Sequence, residues 1–449
     1  MSHAQVVSGA RARARALQAA RGLRAAGLGP GDRLALLLRG SPDYLATVMG
    51  ALQIGVIPVP LDPSLTPFER DPLLADAEPA LVLDSPSKLA ALLEAPGGSV
   101  GSVGEVADLP RARPMHYTSG TTGRPKGVYS GLLDDASAAA LFADERDFWE
   151  ICAGDRHLVA SPLHHSAPLR FSITTLLVGG TVVLPGPFEA SRWAAAVQEY
   201  RPTTAFVVPA HLTRLLEHGM PNTGSFRLLA HAGAPCPDPV KRLTLEAFPP
   251  GSVWEFYGST EGQFTACRGE EWLERPGTVG RARPGRVLTT GPDGRLWCEV
   301  PEFARFSYWR DPERTAAVWD GSRFTVGDLG RIDADGYVYL DGRREDLVIS
   351  GGVNVYPAEV ESALSELRGV RDVAVFGVPD PRWGQRVCAA VVGEATDADL
   401  TAWATQRLAP AKRPKTYVRL DELPRTSTGK IRRLALPDML SEPTDGGHR

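Results

Sequence analysis

A chain of 449 residues is long enough for two or three domains with cores of their own, which excludes a single small module. Apolar residues make up 43% and charged residues 23%, while 46 glycines and 38 prolines stay below the share typical of low complexity, so the chain folds and is rich in turns. With 49 Lys and Arg against 53 Asp and Glu the net charge is −4, which offers no bulk positive field to a polyanion and argues against a nucleic-acid partner.

In chain order, residues 10–26 read as a helix with Ala10, Ala14 and Leu17 on one face among several arginines, ended by Gly27 with Leu28 as its apolar clasp. The arginines also suit a transit peptide, but an ordinary surface helix accounts for the pattern. A turn at 29–32 precedes a strand at 33–38, Ser41 caps a helix through Ile54 with Pro42 in its first turn, and 55–60 is extended. A helix over 67–75 and a strand over 80–83 follow. The alternation recurs at 156–161, 181–184, 205–208 and 227–230, and predicts an α/β fold with a largely parallel sheet. After Val279 the pattern turns to short strands, including an Asp-Gly turn at 335–336. Beyond Arg344 a helix opened by Pro357, two apolar strands and a helix in 397–410 make a small α+β unit.

Five cysteines without a C-x-x-C spacing fit reduced thiols in a cytoplasmic protein, and no apolar run approaches the roughly 18 residues that span a bilayer. His164 and His165 are adjacent, so they cannot share one face of a strand or helix, and a metal there is disfavoured.

The densest local signal is YTSGTTGRPKGV at 117–128. Gly120 and Gly123 let backbone N–H groups approach phosphate oxygens, Thr118, Ser119, Thr121 and Thr122 add hydroxyls, and Lys126 adds charge, which makes a phosphate cradle. Its spacing differs from the P-loop, because the glycines are too close and Gly127 follows the lysine.

This segment resembles the signature of the AMP-forming acyl-activating superfamily, which holds acyl-CoA synthetases, peptide-synthetase adenylation domains and luciferases. Three further segments resemble its other signatures in the same order: YGSTEG at 257–262, 327–361 beginning GDLGRIDADG, and LPRTSTGKIRR at 423–433. The resemblance implies a large N-terminal domain of α/β subdomains plus a β-rich subdomain at 1–344, and a small mobile α+β domain at 345–449 hinged at Glu345. It implies that Tyr257 lies by the adenine, Thr260 contacts the α-phosphate and Glu261 holds Mg²⁺, and a carboxylate suits a hard cation bridging phosphate oxygens. Asp328 would bind the ribose, Arg343 the ribose or phosphate, and Lys430 would be the catalytic lysine of adenylation. By the same resemblance His165 gates the thiol channel, Gly233 lines the adenine and acyl sites, and Gly351 and Gly352 leave room for a pantetheine arm.

The implied activity is ATP-dependent conversion of a carboxylic acid to an acyl-adenylate, then transfer to the CoA thiol, with ATP, Mg²⁺ and coenzyme A required. No acid lies between Ser161 and Thr181 to pair an amino group, so an amino-acid substrate is disfavoured. Phe171, Ile173, Leu176 and Leu177 predict a pocket for an apolar acid. Two alternatives stay open: an enzyme that loads a carrier-protein thiol, and a non-adenylating nucleotide- or acyl-binding protein on the same fold. Only 116 residues precede Tyr117, fewer than in most of the superfamily, which leaves acyl contacts and a homodimer contact open. Val326 stands where a threonine is usual, and Arg368, Arg371, Lys412 and Arg413 are CoA contacts suggested by charge alone.

Overall fold

The computed structural model describes residues 4–95, 106–118, 126–343, 346–350, 353–380, 383–408, 410, 412–426 and 430–440. Its centre is a ten-stranded sheet in which Thr181–Leu184, Arg156–Val159, Thr204–Val207, Leu228–His231 and Val253–Glu255 run parallel, in that spatial order. Their nearly all-apolar sequences are those of strands covered on both faces. Gln5–Ser8 adds an antiparallel edge beside Thr181–Leu184, and Thr265–Arg268 begins an antiparallel extension on the other side. The first of these strands was not legible in the sequence, because four residues ahead of a helix carry no distinguishing period.

A second, three-stranded parallel sheet holds Ile57–Pro60, Arg33–Leu36 and Leu81–Leu83. A third, antiparallel one holds His116–Thr118, Lys126–Tyr129 and Ser307–Tyr308. Short strands between Val287 and Phe324 form the β-rich part. In the C-terminal region Val370–Asp380 and Gly384–Gly393 form a long hairpin, covered by the helices Pro357–Ser365 and Asp397–Arg407. Its two apolar clusters contain, among the described residues, none before Val348.

The helix Gly9–Ala25 differs from its expected reading. It buries Ala12, Ala16, Ala19, Ala20 and Leu23, whereas Leu17 is 45% exposed and Ala10 and Ala14 face solvent. The small residues set its packing against the helix Pro42–Gln53, where a Cβ on Gly50 would sit 2.3 Å from the Ala16 carbonyl oxygen. The expected caps do form: Ser41 accepts the Tyr44 N–H at 3.1 Å, and the Leu28 N–H reaches the Leu23 carbonyl at 3.0 Å. Among the described residues no helix is long and apolar enough to cross a membrane, and all five cysteines are unpaired.

Because backbone cannot yield as a side-chain tip does, Gly50→Val is expected to lower unfolding stability by about 1–3 kcal/mol. An unchanged urea midpoint would contradict this close helix contact.

Candidate functional site

In open α/β sheets the crevice beyond the carboxyl ends of the parallel strands is where ligands bind. Three candidate segments sit there. His165 follows Arg156–Val159, Gly233 follows Leu228–His231, and Tyr257, Thr260 and Glu261 follow Val253–Glu255. The loop 257–262 turns sharply: the Ser259 N–H bonds the Gly262 carbonyl at 2.8 Å, and the Gly262 N–H bonds back at 3.3 Å. A Cβ on Gly258 would lie 2.5 Å from the Gly262 oxygen, so only glycine permits this turn. Gly233 has φ +95°, a backbone that likewise favours glycine.

Glu261 is 4% exposed. Its carboxylate meets Lys126 Nζ at 3.2 Å and accepts the Tyr308 hydroxyl at 2.9 Å, while Lys126 Nζ also donates to the Tyr308 oxygen at 3.1 Å and lies 4.6 Å from the centre of its ring. Burial alone would raise the Glu261 pKa. The Lys126 charge and hydrogen bonds from Ser259, the backbone and Tyr308 outweigh it, so the carboxyl titrates below its ordinary value and is ionised at neutral pH. Burial and the Glu261 charge push the Tyr308 hydroxyl the other way and keep it a donor. Tyr308 went unnoticed in the sequence; it belongs to none of the four signature segments and reaches the site only because Ser307–Tyr308 pairs with Lys126–Tyr129.

The Tyr257 hydroxyl donates to Asp328 at 2.6 Å, with both side chains buried. Asp328 stands opposite Arg343 in the hairpin of Asp328–Ile332 with Tyr337–Arg343. Beside Val326, the buried Thr325 hydroxyl accepts the Gly327 N–H at 3.1 Å, which fixes the turn into Asp328.

His165 opens the helix Ser166–Leu177 without capping it, and its ring lies 4.2 Å from that of His164. Burial, then the neighbouring His164 and His116, push its pKa down to about 3, so the ring is neutral at physiological pH. The Lys430 charge also acts on it, so this exposed lysine lies within electrostatic reach of the ring. Lys430 sits on a loop tied at its base by the Thr426 N–H to the Lys430 carbonyl, 2.7 Å, and the Lys430 N–H to the Thr426 hydroxyl, 3.1 Å. A carboxylate does stand near the histidines: Asp62, absent from their local sequence, lies 3.8 Å from His164 Nε2. Among the described residues no cluster of three or more His, Cys, Asp or Glu could cage a metal.

Beside this site a cavity offers about 120 Å³ to the centres of water-sized atoms. Thr260 and Glu261 form part of its wall, together with Ser166, Leu169 and Ile173. Of the four residues expected to make an apolar pocket, Ile173 and Leu177 line it. Phe171 and Leu176 do not: Phe171 packs on Trp149 and Phe206, with ring centres at 5.4 and 5.9 Å, and Leu176 is fully buried in the core. An i, i+3, i+4 pattern cannot say which apolar face of a doubly covered helix meets a cavity. Arg113, Arg170, Arg286, Asp144 and Glu145 share the wall, so it is apolar only in part.

Ser119, Gly120, Thr121, Thr122, Gly123, Glu345, Gly351 and Gly352 lie outside the described residues, and Thr118 and Arg343 are described by their backbone alone. Lys412 is held by Glu359 at 2.5 and 2.7 Å, and Arg413 donates to the Leu408 and Thr405 carbonyls at 2.8 and 3.2 Å, so both suggested CoA contacts already serve the local fold.

The Lys126–Glu261 pair gives a signed expectation. A carboxyl whose pKa is lowered on folding contributes stability above its unfolded pKa, near 4.5, and that stability is lost as pH falls through the folded value. Lys126→Met is therefore expected to cost about 1–3 kcal/mol at pH 7 and distinctly less near pH 4, measured by urea unfolding at both. A cost independent of pH would place the contribution in packing instead.

A model of AMP-binding enzymes matches residues 2–290, and one of the AMP-binding enzyme C-terminal domain matches 359–430. The chain is 37% identical to a feruloyl-CoA synthase of an Amycolatopsis species over 93% of its own length and 90% of that protein's. Its fold is similar to that of ATP-bound MatB from Rhodopseudomonas palustris, with a TM-score of 0.84 and 30% identity, covering 96% of this chain and 93% of that one. It is equally similar to o-succinylbenzoate CoA synthetase (MenE) from Bacillus subtilis in complex with its acyl-adenylate intermediate, with a TM-score of 0.85 and 28% identity over 98% and 94% of the two chains.

Proposed function

The chain belongs to the AMP-binding enzymes, and from that premise we propose that it is an AMP-forming acid–CoA ligase. It would join a carboxylic acid to the α-phosphate of ATP with release of pyrophosphate, then pass the acyl group to the CoA thiol with release of AMP. The observation that supports this most directly is the shared wall: Thr260 and Glu261 belong both to the phosphate signature and to the cavity, so an acid lying there has its carboxyl beside the nucleotide. The feruloyl-CoA synthase and succinylbenzoate relatives extend this reading to acids with an aryl body, which suits the Leu169, Ile173 and Leu177 side of the cavity. A location in the cytoplasm, where ATP and CoA are at hand, goes with this proposal.

A carboxylate is a poor acyl donor because its leaving group would be oxide. Attack of its oxygen on the α-phosphorus removes that obstacle, since AMP then leaves when the thiol attacks the acyl carbon. Negative charge gathers on the phosphoryl oxygens in the first step, and Lys126 and Lys430 are the cations placed to offset it. The donor set fits Mg²⁺: Glu261 is a single buried carboxylate held ionised, and a Mg²⁺ ion is commonly held by one or two carboxylates plus phosphate oxygens and water. When bound, the ion would screen the phosphates against the incoming carboxylate. Tyr308 keeps Glu261 oriented, Asp328 is fixed by Tyr257 to receive the ribose hydroxyls, and the neutral His165 can move aside for the thiol without stranding a charge.

Two steps need two arrangements, because a lysine loop over the nucleotide blocks a thiol's approach. The proposal therefore includes rotation of 345–449 about Glu345, which replaces the Lys430 loop with the segment around Gly351 and Gly352.

The test is to incubate the protein with ATP, Mg²⁺ and a panel of carboxylic acids, with and without CoA, and to follow AMP, pyrophosphate and acyl-CoA by mass spectrometry. AMP and acyl-CoA should appear together, and Lys430→Ala should slow adenylation by roughly 10² to 10³. Acyl-adenylate that never passes to CoA would point to a carrier-protein thiol, and binding of ATP without turnover of any acid would refute the ligase. Glu345→Pro should slow thioester formation more than adenylation; equal loss of both would remove the hinge.

A further inference from the structure

The wall of the cavity carries charges that forming an acyl-adenylate does not call for. Arg170 Nε lies 3.1 Å from Glu145, which also meets Arg283 at 3.4 Å. Asp144 meets the same Arg283 at 3.4 Å and Arg286 at 2.8 Å. Each carboxylate thus already serves two guanidiniums. Arg113 lines the same cavity, and the charges nearest its guanidinium are these: Arg170, Glu145, Arg286 and Asp144. No described residue gives Arg113 a hydrogen bond or an ion pair. Burial, then the Arg170 charge, lower its pKa to about 10, which still leaves it protonated at pH 7.

The local count is four guanidiniums against two carboxylates, a surplus of two positive charges around a partly enclosed space. Glu261 does not offset it, because Lys126 already holds that carboxylate. Independently of charge, two buried donors on this wall, Arg286 Nε and Gln263 Nε2, lack a hydrogen-bond acceptor among the described residues. Buried donors without acceptors and a half-buried cation that no described residue pairs are each unfavourable, and one species relieves both: an anion with several acceptor oxygens.

We propose that the acid this enzyme activates is a dicarboxylate, its second carboxylate bound by Arg113 inside the cavity while the first is presented beside Thr260 and Glu261. The inference rests on the acid-activating reading above and adds the class of substrate. Arg113 in this role is a specificity-determining residue: it touches the end of the substrate that does not react. It also accounts for a wall that is partly apolar and partly basic, since Leu169, Ile173 and Leu177 would cover the connecting carbon skeleton.

Matched pairs test it, each pair an acid and its counterpart with a second carboxylate at the far end, such as octanoate with octanedioate and 3-phenylpropanoate with its 4-carboxy derivative. Adenylation is read as exchange of labelled pyrophosphate into ATP, for the wild type, Arg113→Met and Arg113→Lys, with thermal unfolding and ATP binding to verify each fold. For at least one pair the wild type should favour the diacid in kcat/KM by more than 10-fold. Arg113→Met should reduce that ratio by about 10- to 100-fold, chiefly through KM, and Arg113→Lys should retain part of it. If Arg113→Met does not fold, the ratio in Arg113→Lys decides, since a lysine lacks the planar fork and must lower it. A wild-type ratio near one for every pair, or a ratio untouched by substitution, overturns the inference while leaving the ligase standing. Exchange with no acid at all overturns both.

Discussion

A carboxylate removed from water stays ionised only when a cation and hydrogen-bond donors replace the hydration it loses. Around Glu261 that requirement binds together segments 135 and 47 residues apart in the chain, through the Lys126 ammonium and the Tyr308 hydroxyl. The contact needs the small sheet in which Lys126–Tyr129 lies between His116–Thr118 and Ser307–Tyr308, and it needs the tight loop after Val253–Glu255. Neither can shift without leaving a buried charge unpaired. The result is a carboxylate already oriented and already charged, the kind of preorganisation that electrostatic catalysis requires.

The parallel sheet explains why the remaining candidates gather around that carboxylate. Adjacent parallel strands end on one side, so His165, Gly233 and the 257–262 loop come together although 96 residues separate the first from Glu261. The antiparallel extension then carries the hairpin with Asp328 to the Tyr257 hydroxyl. The candidate segments and the cavity thus share one rim, and Thr260 and Glu261 belong to both.

What could be read from the sequence follows a physical division. Contacts local in the chain were legible: the Ser41 cap, the clasp of Leu28 on Leu23, the Asp-Gly turn into Tyr337–Arg343 and the alternation of strands and helices all depend on residues within a few positions of one another. Candidate residues within dense short signatures, such as Glu261 and Lys126, could be singled out for the same reason, and the structure brings these two together. Tyr308, Asp62 beside His164, and the arginines and acids of the cavity were not, because each acquires meaning only from a partner far along the chain. The misassigned face of the first helix has a related cause. Alanine is small enough to read as neutral, and only packing against Pro42–Gln53 shows that the alanines, not Leu17, are the buried stripe.

The C-terminal region has cores of its own. The apolar clusters of the C-terminal region draw on no described residue before Val348, so its displacement exposes none of the interior that stabilises the rest. Within that region Lys430 is pinned to Thr426 through its carbonyl, which accepts the Thr426 N–H, and its N–H, which donates to the Thr426 hydroxyl, and Arg433 is anchored to Glu361 and to the Val375 carbonyl. Lys430 is therefore carried by a body with its own core. A displacement of such a body would cost surface contacts and no unfolding.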